Sequence, residues 1–208
     1  MLYTFAGTAS RYGQRAVSIV AATKRWLLWN LDVSQAFLKG LTFEEVSKLT
    51  GTPLRSVQLT LPKGAAALLQ KIPWYEHFDP VKHVLDMIRP GFGLKDAPRL
   101  WHLRINEVLN QLGLRQWVSD PQLYARWSHN AEPYLDTLDM LCSKHVDDLK
   151  IAGEKSHVEQ LIRHIESVSG KMKGEYDDFT NCGVHQHRNE DGSVTLDQYD
   201  YISALIPI

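Results

Sequence analysis

The chain is expected to form an α+β domain with a mixed or antiparallel sheet and helices on one face. Three observations point there. Segments of helical and strand periodicity alternate without regular βαβ repetition. Several strand-like runs are separated by only a few turn residues, as in hairpins. At 208 residues and 44% hydrophobic, the chain can bury one sizeable core, and no internal repeat or linker divides it. A single domain over residues 1–208 is therefore expected.

Taken in order, Val17, Val20, Ala21, Leu27 and Leu28 are spaced for a helix over residues 14–29. It runs directly into a strand at 29–33, where Asp32 points away from Leu31 and Val33. Residues 39–55 read as a polar, turn-prone stretch. A strand is predicted at 56–61, ended by Pro62. Ala65 to Leu69 make a short helix, and Pro73 and Pro80 punctuate the loop after it. Residues 83–88 read as a strand leading to a glycine-bearing segment. There Asp96 is placed to cap a helix with Pro98 in its first turn. The helix carries the stripe Trp101, Ile105, Val108, Leu109 and Leu112, and Gly113 ends it.

Strands are predicted at 123–127, 135–144 and 149–152, the last two joined as a hairpin with Asp147-Asp148 at its tip. Next, Ser156 and Glu159 have capping-box spacing before the stripe Val158, Leu161, Ile162, Ile165 and Val168, which Gly170 closes. Strands at 184–188 and 193–198 flank the turn Glu190-Asp191-Gly192.

Composition narrows the function. The net charge is -1 and the isoelectric point about 6.8, without the basic excess of an autonomous nucleic-acid binder. Nine histidines show neither C-x-x-C nor H-E-x-x-H spacing, which argues against zinc. Cys142 and Cys182 are expected as two buried, reduced thiols. No apolar run reaches the ~20 residues that span a bilayer, and Met1 to Phe5 lack a signal peptide's basic start. A soluble intracellular protein, cytoplasmic or nuclear, is expected.

Three segments carry chemistry. They are Asp32-Val33-Ser34-Gln35-Ala36-Phe37, then Gly91-Phe92-Gly93-Leu94-Lys95-Asp96-Ala97-Pro98-Arg99-Leu100-Trp101, then His145-Val146-Asp147-Asp148. Asp32 and Asp147 are 115 positions apart, so only adjacent strands of one sheet can unite them. United, three carboxylates would need cations or protons to share a site. Hard oxygen donors select Mg²⁺ or Mn²⁺, and two such ions are the usual apparatus of phosphoryl transfer. Phe37 reads as core packing or as a bulky ring beside a nucleotide sugar. Gly91 and Gly93 permit close approach of a substrate. Lys95 and Arg99 stand near a helix N-terminus where phosphate can bind. Alone, Asp147-Asp148 would be an ordinary solvated turn; the three segments in order outweigh that reading.

The chain resembles the reverse transcriptase domain of copia-type LTR retrotransposons. The family's D-V-K-T-A-F-L-N-G is matched by residues 32–40, its Y-G-L-K-Q-A-P-R-x-W by 92–101, and its Y-V-D-D-x-x-I-x-G by 145–153. Ser119-Asp120-Pro121-Gln122-Leu123-Tyr124 is similar to its S-D-P-C-L-F/Y, and the likeness runs from about Thr4 to about Ile202. The resemblance implies a right-hand polymerase palm with partial fingers and no thumb. It implies RNA-directed DNA synthesis with two Mg²⁺ or Mn²⁺ ions, an RNA or DNA template, a primer and dNTPs. Asp32 and Asp147 would be the main metal ligands and Asp148 the third acid, with the Val33 carbonyl beside them. Phe37 would be the sugar gate, and Gly93, Lys95 and Arg99 would face substrate. Lys171 or Lys173 would be the proton donor to pyrophosphate. RNase H and integrase modules would belong to the same polyprotein, and nothing in this chain resembles them. Three departures stand out: His145 for Tyr, Asp96 for Gln, and Asn181-Cys182-Gly183-Val184 for F-L-G-I. The other reading is an inactive relic that keeps the fold and at most weak nucleic-acid or partner binding.

Overall fold

The computed structural model describes residues 7–128 and 137–205. The first helix, α1 (Arg11–Lys24), starts where Ser10 Oγ accepts the Gly13 N–H at 2.9 Å. It stops before Trp29, earlier than its apolar spacing suggests. Arg25 turns left-handed at φ 56°, and Leu28 opens strand β1 (Leu28–Asp32). A short 3₁₀ turn (Ala36–Lys39) leads to α2 (Phe43–Thr50), inside the stretch read as polar turns. A reciprocal capping box makes this helix: Glu45 N–H donates to Thr42 Oγ1 at 3.1 Å and Thr42 N–H to Glu45 Oε2 at 2.7 Å. Burial raises the Glu45 pKa. Arg104, which donates to both its oxygens at 2.6 Å, and the Thr42 bonds outweigh that and take it to about 2.

The predicted strands at 56–61 and 83–88 shrink to β2 (Gln58–Leu59) and β3 (Leu85–Asp86), paired with each other around α3 (Ala65–Leu69). Helix α4 (Ala97–Gln111) lacks the side-chain cap expected from Asp96. That carboxylate is buried and pairs instead with the Arg55 guanidinium, which neutralises it. After β4 (Arg115–Gln116) and β5 (Leu123–Ser128) come β6 (Thr137–His145) and β7 (Asp148–Gly153). The predicted start of β6 at Leu135 lies outside the described residues. Helix α5 (Lys155–Ser169) begins with Glu154 in the cap position, so Ser156 falls within its first turn and caps nothing. Two short strands follow, β8 (Lys173–Tyr176) and β9 (Asp178–Asn181); the strand-like segment expected around Cys182 stops one residue before it. Then come β10 (Val184–Arg188), β11 (Val194–Asp197) and α6 (Tyr199–Ser203).

One six-stranded sheet in the order β4-β5-β6-β7-β1-β8 organises these elements, and among the described residues its strands pair antiparallel throughout. Strand alternation sends Leu31, Val33, Met140, Cys142, Leu149 and Ile151 to one face, against α4 and α5. Leu28, Leu141 and Ala152 go to the other, against Val17 and Ala21 of α1. Helices therefore cover both faces, not one. The central strands are apolar on both sides, so each face needs a cover. Cys182 is exposed in the turn between β9 and β10, at φ 50°, so the expectation of two buried thiols holds only for Cys142. Both thiols are free. Among the described residues no helix is long and apolar enough to cross a membrane.

Candidate functional site

The sheet brings the separated acids together. Asp32 ends β1, and Asp148, which begins β7, is its direct cross-strand partner. Directly opposed Cα atoms in an antiparallel pair lie roughly 4.5–5.5 Å apart. On the other side of Asp32, β8 places Lys173 in register with it. His145 pairs with Asp148, so the hairpin tip is Val146-Asp147. The acidic pair thus straddles the end of the turn, whereas the sequence placed both residues at the tip.

Val146 occupies the left-handed region at φ 58°, unusual for a β-branched side chain. Two bonds hold the turn in that shape. Trp101 Nε1 donates to the Val146 carbonyl at 2.9 Å, and the Val33 N–H donates to the Asp147 carbonyl at 3.3 Å. One bond comes from the glycine-bearing segment and the other from the first acidic segment, so all three meet at this turn. The sequence assigned Trp101 to the apolar stripe. It is fully buried there, and its ring nitrogen carries the second role.

The acids feel one another. Burial raises the Asp147 pKa, and the charge of Asp32 adds to it. Burial also raises Asp148, followed by the charges of Asp147 and Asp32. Lys173 is fully exposed and keeps its proton more firmly than usual, chiefly through Glu175 at 3.0 Å and to a smaller degree through Asp32. The side chains themselves do not converge on one point. Among the described residues, no group of three or more His, Cys, Asp or Glu is arranged as a set of metal ligands. The backbone register nonetheless opposes two of the acids, Asp32 and Asp148.

Phe37 is half-buried against the α4–α5 core and meets exposed Phe92 edge to face, with ring centres 6.1 Å apart. Gly40, just beyond, lies against the backbone of Leu100 and Trp101, and the Leu41 N–H donates to the Leu100 carbonyl at 3.2 Å. Gly93 has φ 89°, in a turn closed by Leu94 N–H donating to the Gly91 carbonyl. Lys95 is exposed, as is Lys171 ahead of β8. Arg99 is half-buried on α4, and its charge acts on His102 and Lys144. Among the described residues, none of Lys95, Arg99 or Lys171 forms an ion pair with the three acids. Asp120, of the Ser-Asp-Pro segment, accepts the Ser10 hydroxyl at 2.5 Å and so anchors the start of α1.

His145 stands on the α1 side of the acids with its Nδ1 buried and unpartnered. It lines a cavity of about 560 Å³ with Arg11, Arg15, Lys150, Asn181 and Cys182. Lys150 is almost wholly buried there, bonded to Ser18 Oγ at 2.6 Å and to the Gln14 carbonyl at 2.8 Å. Sequence reading missed both buried lysines, Lys144 and Lys150. The signal was their place within an otherwise apolar hairpin.

No family model matches the chain. It is 30% identical over 123 residues to a Saccharomyces cerevisiae protein ascribed to transposon Ty5-1; the match covers 58% of this chain and 37% of that one. It is 25% identical over 150 residues to the retrovirus-related Pol polyprotein from transposon RE1 of Arabidopsis thaliana, covering 72% of this chain and 8% of the polyprotein. Against the polyprotein from transposon RE2 of the same plant it is 25% identical over 161 residues, 77% of this chain and 9% of the other. The chain thus spans little more than a third of the first of these relatives and under a tenth of the other two. It is related to retrotransposon Pol polyproteins.

Proposed function

We propose that the chain is the palm, with part of the fingers, of a copia-type RNA-directed DNA polymerase that adds dNTPs to a primer 3′-hydroxyl on an RNA or DNA template. The observation that carries this reading is the cross-strand pairing of Asp32 with Asp148 beside a turn held by Trp101 and Val33. Kinship with retrotransposon Pol polyproteins supports it. In such a polyprotein the domain would work beside RNase H and integrase modules, within the element's intracellular particle.

The donor set suits Mg²⁺ or Mn²⁺. It offers hard carboxylate oxygens only, on groups whose mutual repulsion a dication relieves. Asp32, Asp147 and Asp148 would hold the ions, with the Val33 carbonyl beside them. Among the described residues they do not form a ready set of ligands, so holding the ions would require their side chains to adjust. Held by these carboxylates, such ions would supply activation of the attacking hydroxyl and neutralisation of charge on the departing pyrophosphate. The chain's own residues then position the reactants. Phe37 would press against the deoxyribose and leave no room for a 2′-hydroxyl. Gly93 would let the nucleotide approach the backbone, and Lys95 and Arg99 would meet phosphate. Lys173, protonated and in register with Asp32, would supply the proton to pyrophosphate.

Primer extension on an RNA template, with Mg²⁺ and dNTPs, tests the proposal against an Asp147→Asn variant. Extension by the wild-type chain that falls at least a hundredfold in the variant is the expected result. A well-folded wild-type chain that extends nothing would favour the inactive relic.

A further inference from the structure

Behind the acidic turn, on the α4 side of the sheet, Lys144 is wholly buried. Its Nζ lies 2.8 Å from His102 Nδ1 and 3.0 Å from Asn106 Oδ1, and 5.8 Å from the centre of the Tyr124 ring. Asn106 Nδ2 lies 3.0 Å from His102 Nε2, which closes a ring of three side chains. Outside the ring, Tyr124 OH donates to Asn106 Oδ1 at 2.6 Å and accepts from Gln116 Nε2 at 3.0 Å. No carboxylate bonds to Nζ among the described residues.

Counting donors and acceptors decides the charge of Lys144. A neutral imidazole offers one N–H and one lone pair, and an ammonium offers donors only. With the Asn106 NH₂ facing His102 Nε2, that nitrogen accepts, so Nδ1 carries the hydrogen and aims it at Nζ. Only an uncharged amine has a lone pair to receive it. Turning the Asn106 amide over exchanges the roles and leaves the answer unchanged. Its oxygen then takes the Nε2 hydrogen, Nδ1 accepts from the amine, and the amide NH₂ faces Nζ instead. An ammonium puts two donors face to face in either arrangement.

We infer that Lys144 is carried as an uncharged amine in a closed ring with His102 and Asn106, and that this ring is a proton-sensitive brace between α4 and the acidic turn. Lys144 lies two residues before Val146, and His102 follows the Trp101 that holds the Val146 carbonyl. The ring therefore fixes the same helix and strand that the Trp101 bond joins. The brace operates whether or not the turn performs nucleotidyl transfer.

The groups around Lys144 supply no counter-charge. His102 and Arg99 face it from α4, Tyr124 from β5, and Cys142 from its own strand. Burial lowers Lys144 from 10.5 to about 7, and the Arg99 charge contributes. Burial, the first cause, lowers His102 to about 4, and the Arg99 charge adds to it. Burial pushes Cys142 up to about 12 and also raises Tyr124, so both are neutral near pH 7.

The sign of the linkage follows. Between about 7 and 10.5 the unfolded chain binds a proton at Lys144 that the folded chain does not. Stability is therefore greatest above 10.5, falls as pH drops through this window, and loses nothing more from this group below it. The test is urea unfolding of the wild-type chain and Lys144→Met at pH 7.5, 8.5 and 9.5. The wild-type unfolding constant should fall, relative to the variant's, by close to tenfold per pH unit. Lys150 is common to both chains and cancels. Parallel pH profiles would overturn the inference. Should Lys144→Met not fold, lysine ¹³Cε NMR of the Lys150→Met chain decides. One resonance titrating near neutrality is expected there, and all lysines titrating near 10 would overturn it.

Discussion

Replacing Trp101 with phenylalanine is expected to cost about 1–3 kcal/mol and to loosen the acidic turn. The indole is fully buried, and its one polar atom is spent on the Val146 carbonyl. Phenylalanine keeps most of the packing but leaves that carbonyl without its partner. Val146 sits at φ 58°, a conformation that costs about 1–3 kcal/mol and persists only while its surroundings enforce it. Trp101→Ala adds a cavity in the buried core to which Trp101 belongs, raising the loss to about 3–5 kcal/mol. Urea unfolding of both variants checks the magnitudes. Primer extension separates the two roles. In Trp101→Phe, extension should fall by a larger factor than the folded fraction does, because the turn and not the core is released. Equal losses in the two assays would make Trp101 a core residue and nothing more.

Gly40→Ala is expected to cost about 1–3 kcal/mol through contact alone. Gly40 has φ -60° and ψ 176°, which any residue adopts, so its freedom to turn is not at issue. An added Cβ would stand 2.9 Å from the Trp101 nitrogen and 3.0 Å from the Leu100 carbonyl carbon. Both are backbone atoms of α4 and cannot swing aside. The Leu41 to Leu100 bond would stretch, and the 3₁₀ turn bearing Phe37 would lift off the helix. Gly51→Ala provides the comparison. Its φ of 67° strains the backbone, but nothing lies within 4 Å of the added atom. Thermal unfolding with Gly40→Ala no less stable than Gly51→Ala would contradict this account of the close approach.

The meeting of the acidic segments was legible because they stand in a fixed order on strand-like runs. An isolated Asp at a strand end and an Asp pair after an apolar run predict one sheet that unites them, and β1 and β7 do pair there. The register was not legible. Whether Asp148 belongs to the turn or to the strand depends on the Val146 conformation, and no local pattern favours a β-branched residue at positive φ. Trp101 was read by its apolar ring, which hid the hydrogen bond of its nitrogen. The helix over 43–50 was announced by Thr42 and Glu45 at capping-box spacing, but the surrounding polar residues obscured it. Ser156 and Glu159 have similar spacing and form no box, since α5 starts two residues earlier, with Glu154 in the cap position. Asp96 shows the same limit: its cap position was correct, but distant Arg55 claimed the side chain. Helix α1 reached the second face of the sheet through tertiary packing that periodicity does not specify.

Mn²⁺ binding, followed by electron paramagnetic resonance, tests most directly whether Asp32 and the acidic turn form one site. Wild-type chain, Asp32→Asn and Asp148→Asn would be titrated in parallel, with circular dichroism confirming that each is folded. The account predicts saturable binding that weakens at least tenfold in either variant, since acids from two distant segments hold the same ions. Binding unchanged by Asp32→Asn would contradict it, leaving Asp147 and Asp148 as a solvated turn beside an unrelated strand end.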